Sequence, residues 1–163
     1  MSISPYLRTG IAVALTVLAL DQLSKWVVAV PLSLDTVRSI TLLPIFSLTW
    51  MQNDGVSFSL LTATNAAQRW ALTALTALIA AGVAVWMVRE KNRTDVVALA
   101  MVLGGALGNI LDRVRLGYVV DFADLHFGDY RPFLIFNVAD AAITIGVLLL
   151  VARALLVRDK GAE

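Results

Sequence analysis

Residues 137–157 read Asn-Val-Ala-Asp-Ala-Ala-Ile-Thr-Ile-Gly-Val-Leu-Leu-Leu-Val-Ala-Arg-Ala-Leu-Leu-Val: a polar start, one carboxylate, then an apolar run whose next charge is Arg153. A bilayer core about 30 Å thick is crossed by about 20 helical residues, each advancing ~1.5 Å. The stretch predicts a membrane-spanning helix with Asp140 on its first turn. Asn137 and Asp140 stand three apart, the spacing at which a cap side chain and a first-turn side chain satisfy each other's backbone amides.

Three further stretches match it. Leu7 to Val30, Ala66 to Val88 and Val96 to Leu111 are apolar over close to a membrane's depth, the last completed by a polar turn reaching about residue 114. The chain has 163 residues, 59 % hydrophobic and 15 % charged, with a mean hydropathy of +0.80; soluble domains hold about a quarter charged residues. A body this small cannot hide so much apolar surface from water. The expected fold is membrane all-α, a single integral domain with a four transmembrane helix bundle. Arg8 ahead of the apolar run Gly10–Leu20 admits a secretory signal peptide as rival for the first stretch. That run continues through Trp26 to Val30 without a small-residue cleavage site, and reads as a retained helix.

The two long connections, 31–65 and 115–136, have another rhythm. Phe46, Leu48 and Trp50 alternate with Ser47, Thr49 and Met51; Asn53-Asp54-Gly55 is a turn signal; Val56, Phe58 and Leu60 follow with the same period of two. That pattern predicts a hairpin turning at Asn53–Gly55. Gly117–Phe122 and Tyr130–Phe136 read as shorter strands, so a small half-apolar sheet is expected to rest on the bilayer surface. Asn65 with Gln68 predicts a capping box for the second span, and Gly104 with Gly108 a face on the third that admits close helix approach.

Four spans put both termini on one side. Seven basic residues (Arg8, Arg89, Lys91, Arg93, Arg153, Arg158, Lys160) lie at the termini and the short connection, against five (Arg38, Arg69, Arg113, Arg115, Arg131) on the other side. The excess predicts cytoplasmic termini. A net charge of +1 gives no reason to expect a nucleic-acid partner, and zero cysteines with one histidine, His126, exclude disulfides, thiolate sites and multi-histidine metal sites. His126 falls in a polar loop and reads as solvated.

The polarity that membrane depth makes costly gathers at one face. Asp21, Lys25, Asn109, Asp112, Arg113, Asp121 and Asp140 all fall at the outer ends of spans or just beyond, while the inner half is bare apart from Arg153. Ionisable groups there are paired or functional. Asp21 and Lys25, four apart, have ion-pair spacing. Asp112 and Arg113 read equally as interfacial residues ending a helix, and Asp140 alone as a cap favoured by the helix dipole. Its joint placement with Asp121, a carboxylate inside the apolar run Val119–Phe122, lifts the pair above those readings. Two carboxylates in a partly desolvated site cannot both ionise easily, so one keeps a proton near neutral pH. That asymmetry can activate water and polarise an amide carbonyl. A Ser24–Lys25 dyad is disfavoured because helix neighbours point about 100° apart, and a proton or ion carrier would place ionisable groups through the full membrane depth.

The ordered series Asp21-Gln22-Leu23-Ser24-Lys25, Asn53-Asp54-Gly55, Gly104-Gly105-Ala106-Leu107-Gly108-Asn109, Asp112-Arg113, Val120-Asp121-Phe122 and Phe136-Asn137-Val138-Ala139-Asp140 resembles the bacterial lipoprotein signal peptidases (signal peptidase II) over essentially the whole chain. The resemblance implies Asp121 and Asp140 as catalytic residues. It places Asn53, Gly55, Gly105, Asn109, Arg113 and Asn137 around the site and Asp21 with Lys25 as a supporting ion pair. It also implies a small extracytoplasmic β-cradle, a short amphipathic helix, no cofactor and no metal. The implied partners are lipid-modified prolipoproteins and membrane lipid, and the implied place is the bacterial cytoplasmic (inner) membrane with the active site at the outer face; nothing in the sequence demands more than a monomer. The implied reaction cleaves a diacylglyceryl-modified prolipoprotein before its lipidated cysteine. Asp54 departs from the small uncharged residue usual after Asn53, and adds a carboxylate able to perturb the dyad's titration.

Overall fold

In the computed structural model, which describes residues 3–56, 61–62, 66–128 and 130–158, the chain runs α1 (Leu7–Ala29), α2 (Leu34–Val37), β1 (Ser39–Leu43), β2 (Phe46–Asn53), β3 (Gly55–Val56), β4 (Leu61–Thr62), α3 (Ala66–Arg89), α4 (Arg93–Arg115), β5 (Val119–Leu125) and α5 (Val138–Arg158). Helices α1, α3, α4 and α5 are each long and apolar enough to cross a membrane. Large apolar side chains stand outward along them, Leu78 71 % exposed and Leu156 70 %. Such an exposed belt is stable only against lipid.

Helix α4 starts three residues earlier than its apolar pattern, because Asn92 caps it by accepting from the Thr94 and Asp95 amides at 2.9 and 3.4 Å. It is the central helix, packed against α1, α3 and α5. The expected small-residue face does this: a Cβ on Gly104 would stand 2.5 Å from the Ala14 carbonyl oxygen of α1, and one on Gly108 2.5 Å from Asp21 Oδ2. The apolar core at the far end of the bundle joins Ala14, Met87, Val96, Leu99 and Ala100. At its other end α4 stops on Gly117, whose φ of +91° suits a residue without a side chain. The Leu116 and Gly117 amides donate to the Asp112 and Arg113 carbonyls, and the chain turns directly into β5.

The sheet has the order β1-β2-β5, antiparallel throughout. It sits where α1 and α4 end and α3 and α5 begin. Val28 and Leu34 pack with Phe122 and Ala123 to fasten it to the bundle. The expected hairpin is displaced: β2 turns back on β1 through Pro44–Ile45, with Leu43 opposite Phe46, and not at Asn53–Gly55. After Asp54 the chain leaves the ladder, and β3 pairs with β4 instead. Asn53 does make a turn, accepting the Gly55 amide at 3.1 Å, but that turn serves a side chain. Residues 130–136 form no strand; the backbone touches the sheet only at a Phe136–Ala123 bridge and closes a Phe127–Tyr130 bridge, because Pro132 interrupts it. Phe58, Leu60 and the Asn65 cap lie outside the described residues.

Candidate active site

The capping box at the start of α5 forms as its sequence predicts. Asn137 Oδ1 accepts the Asp140 amide at 2.9 Å, and Asp140 Oδ2 accepts the Asn137 amide at 3.3 Å. Both Asp140 oxygens are engaged, since Oδ1 takes Asn109 Nδ2 from α4 at 2.8 Å. An acceptor-only group with two N–H donors at a helix N-terminus is a setting that suits a carboxylate.

Asp121 reaches the same place from β5. Only 1 % exposed, it accepts Asn137 Nδ2 at 2.6 Å on Oδ1 and Asn53 Nδ2 at 2.9 Å on Oδ2. Asn137 therefore touches both aspartates, one through its amide nitrogen and the other through its oxygen. Asn109 closes the loop, accepting Asn137 Nδ2 at 3.2 Å while donating to Asp140. The Gly55 amide fixes which way the Asn53 side chain points. Burial first, then the Asp140 charge, push the Asp121 carboxyl up to about 7, against the opposing pull of the Asn53 and Asn137 hydrogen bonds and the Lys25 charge. Asp54 is exposed and is not among the groups that shift it.

The expected Asp21–Lys25 pair is present at 2.9 Å, and it is larger than its spacing implied. Lys25 Nζ also meets Asp112 Oδ2 at 2.8 Å and donates to Asn109 Oδ1 at 3.2 Å. Asp21 Oδ1 accepts the Ala139 amide, one residue before Asp140, at 3.0 Å. Asp112 Oδ2 accepts the Val120 amide, one residue before Asp121, at 3.2 Å, and Gln22 bridges Asp21 and Asp112. This buried network fastens the backbone beside each aspartate. Neither Asp112 nor Gln22 shows this role in the sequence, because the contacts that tie Gln22 and Lys25 to Asp112 span about 90 residues and only the fold makes them.

Arg113 follows Asp112 on α4, where the charges of Asp140, Asp121 and Asp112 act on it. Its Nε is buried without a hydrogen-bond partner among the described residues. Gly105 lets α4 meet α5 at this level, where a Cβ would stand 2.5 Å from the Ala139 carbonyl oxygen. Ser24 Oγ donates to the Asp21 carbonyl, away from Lys25. His126 is not merely solvated: Nε2 shares a 3.1 Å hydrogen bond with buried Ser47. Among the described residues no three of His, Cys, Asp and Glu gather as a metal-ligand set.

Two carboxyl groups tied by common amide bridges, one of them holding its proton to about pH 7, are equipped to deprotonate water and protonate a carbonyl in one site. Known structures share the fold. Two bacterial membrane enzyme structures obtained by the in meso method superpose on the chain. The 2.3 Å structure gives a TM-score of 0.83 at 30 % identity, covering 100 % of this chain and 96 % of its own. The 1.9 Å structure gives 0.80 at 29 %, covering 95 % and 97 %. The lipoprotein signal peptidase of Sphingopyxis alaskensis is 59 % identical over 160 residues, 98 % of this chain and 92 % of the relative. That of Rhizorhabdus wittichii is 59 % identical over 150 residues, 92 % and 87 % respectively. Residues 13–156 match the model of signal peptidase (SPase) II, peptidase family A8, and the chain belongs to that family of membrane-embedded lipoprotein signal peptidases.

Proposed function

We propose that the chain is an aspartic-type endopeptidase that removes signal peptides from diacylglyceryl-modified prolipoproteins, cutting before the lipidated cysteine with Asp121 and Asp140. The observation that carries this reading is Asn137, which donates to Asp121 Oδ1 at 2.6 Å from its side-chain amide and to Asp140 Oδ2 at 3.3 Å from its backbone amide. Asp140 is the base and Asp121 the proton carrier. Asp140, held by Asn109 and its own cap, takes a proton from water as the oxygen attacks the scissile carbonyl carbon. Asp121 gives its proton to the carbonyl oxygen, and a gem-diol forms with no covalent enzyme intermediate. Asp140 then protonates the leaving amine nitrogen, the C–N bond breaks, and Asp121 recovers a proton from the gem-diol. Both groups return to their starting states.

The substrate's signal helix and acyl chains share the membrane with the bundle and enter sideways. Arg113 stabilises charge beside the dyad, Asn53 and Asn137 orient Asp121, and Gly55 and Gly105 shape the walls. The enzyme works as a monomer in the bacterial inner membrane, its dyad at the outer face and both termini cytoplasmic. The test is Asp121→Asn and Asp140→Asn, each assayed on a lipidated prolipoprotein with a melting curve alongside. Each folded variant is expected to lose at least about 1000-fold in kcat, the scale on which removing an essential acid–base group acts. Near-full cleavage by either would remove that residue from the mechanism.

A further inference from the structure

Beyond the dyad the sheet holds a second polar feature that the chemistry above does not use. Asp124 is 2 % exposed, a buried carboxylate outside the spans. Arg131 meets it with Nε at 3.1 Å from Oδ1 and Nη2 at 3.4 Å from Oδ2, and Thr49 Oγ1 donates to Oδ2 at 3.2 Å. The Arg131 side chain remains 53 % exposed. A guanidinium has five N–H donors, so its outer edge keeps donors to offer. These three residues line a cavity of about 450 Å³ together with Met51, Phe133 and Leu134. Met51 is the ladder partner of Asp121, so one wall of the cavity is built on the strand position opposite that aspartate. Asp124 is three residues farther along β5, about 10 Å at the usual strand rise.

We propose that this cavity is the subsite for the first residues of the mature lipoprotein, those after the lipidated cysteine. The inference rests on the peptidase reading of Asp121 and Asp140. The signal segment and acyl chains are apolar and belong beside the helices, whereas the chain past the cysteine is the part of the substrate that continues beyond the membrane. Three extended residues span the distance from Asp121 to Asp124. The cavity offers such a peptide apolar walls in Met51, Phe133 and Leu134, and a guanidinium edge for a backbone carbonyl. Asp124 fixes that edge in place, and its buried charge is matched by Arg131, so uncharged polar side chains enter without meeting an uncompensated charge.

The ion pair alone could serve only to tether the loop between β5 and α5, and substrate length separates the two roles. Lipidated substrates ending in an amidated cysteine are compared with the same substrates extended by three uncharged polar residues. In the wild type the extension raises kcat/KM about tenfold, the factor one or two well-made hydrogen bonds supply. In Arg131→Gln, and separately in Leu134→Asp, that ratio falls toward one. Leu134 is 62 % exposed, so its substitution leaves folding intact even if the ion-pair variant melts early. A wild-type ratio of one, or an unchanged ratio in Leu134→Asp, overturns the subsite while leaving the peptidase assignment standing. A wild type that cleaves neither substrate overturns both.

Discussion

Asp121 accepts amide donors from Asn53 and Asn137 and still keeps its proton to about pH 7, because burial and the neighbouring Asp140 charge outweigh them. With Asp121 as proton carrier, the active form exists only while that proton is bound. The proton is lost as pH rises through about 7, so kcat/KM is expected to fall about tenfold per unit above that point, a limb belonging to the pair as a whole. The Asn53 hydrogen bond holds the Asp121 carboxyl down, so removing it lets the value climb. Asn53→Ala should then carry the alkaline limb to higher pH while lowering the maximal rate. A limb that stays put, or moves to lower pH, would contradict the assignment of the proton to Asp121. At this scale the sequence was informative where a residue's partners are near in the chain: the Asn137–Asp140 box and the Asp21–Lys25 pair follow from spacings of three and four. Asp112 and the Asp124–Arg131 pair did not declare themselves. The first is defined by contacts with another helix, and the second depends on where a loop returns.

Helix α4 is the element against which the others are placed, and its glycines set the spacing. Gly105 and Gly146 both sit in the α4–α5 contact: a Cβ on the first would meet the Ala139 carbonyl oxygen at 2.5 Å, and on the second the Ala98 carbonyl oxygen at 2.6 Å. Alanine at either should push the helices apart and lower the melting temperature. Only Gly105 lies beside Asp140, so Gly105→Ala should also cost about 100-fold in kcat, as misplacement by about 1 Å does. Folded Gly146→Ala should retain most of its activity. Gly82, with nothing within 4 Å, is the control, and Gly82→Ala should be neutral or stabilise by up to about 1 kcal/mol. The Asp21–Lys25–Asp112 network joins α1, α4, β5 and α5. Lys25→Met would strand two buried carboxylates, a loss of about 3–5 kcal/mol that melting should register as about 10 °C or more. The four long helices were legible because a run of about 20 apolar residues matches the depth of a bilayer and overfills the core of so small a chain. The sheet was legible in kind but not in pairing. Period two identifies a strand without naming its partner, and the Asn53 turn signal outweighed Pro44–Ile45, where β2 actually reverses.

For the molecule as a whole, the asymmetry of polar residues becomes an orientation. The sheet, both aspartates and the buried Asp21–Lys25–Asp112 network occupy one end of the bundle, while the α3–α4 connection lies at the other. A signal peptide is cut on the side to which the mature protein is delivered, so the dyad's end should face outward. The basic excess at the termini and short connection points the same way. The chain has no cysteines, which makes single introduced thiols unambiguous reporters. Lys91→Cys places one at the exposed α3–α4 connection, and Tyr130→Cys places one on a side chain 68 % exposed beyond β5. A membrane-impermeant maleimide should label Tyr130→Cys in cells whose inner membrane is intact. It should reach Lys91→Cys only after that membrane is opened. The reverse pattern would put the two carboxylates on the cytoplasmic side. There they would not meet a substrate whose cysteine has already crossed, whatever their distance from each other.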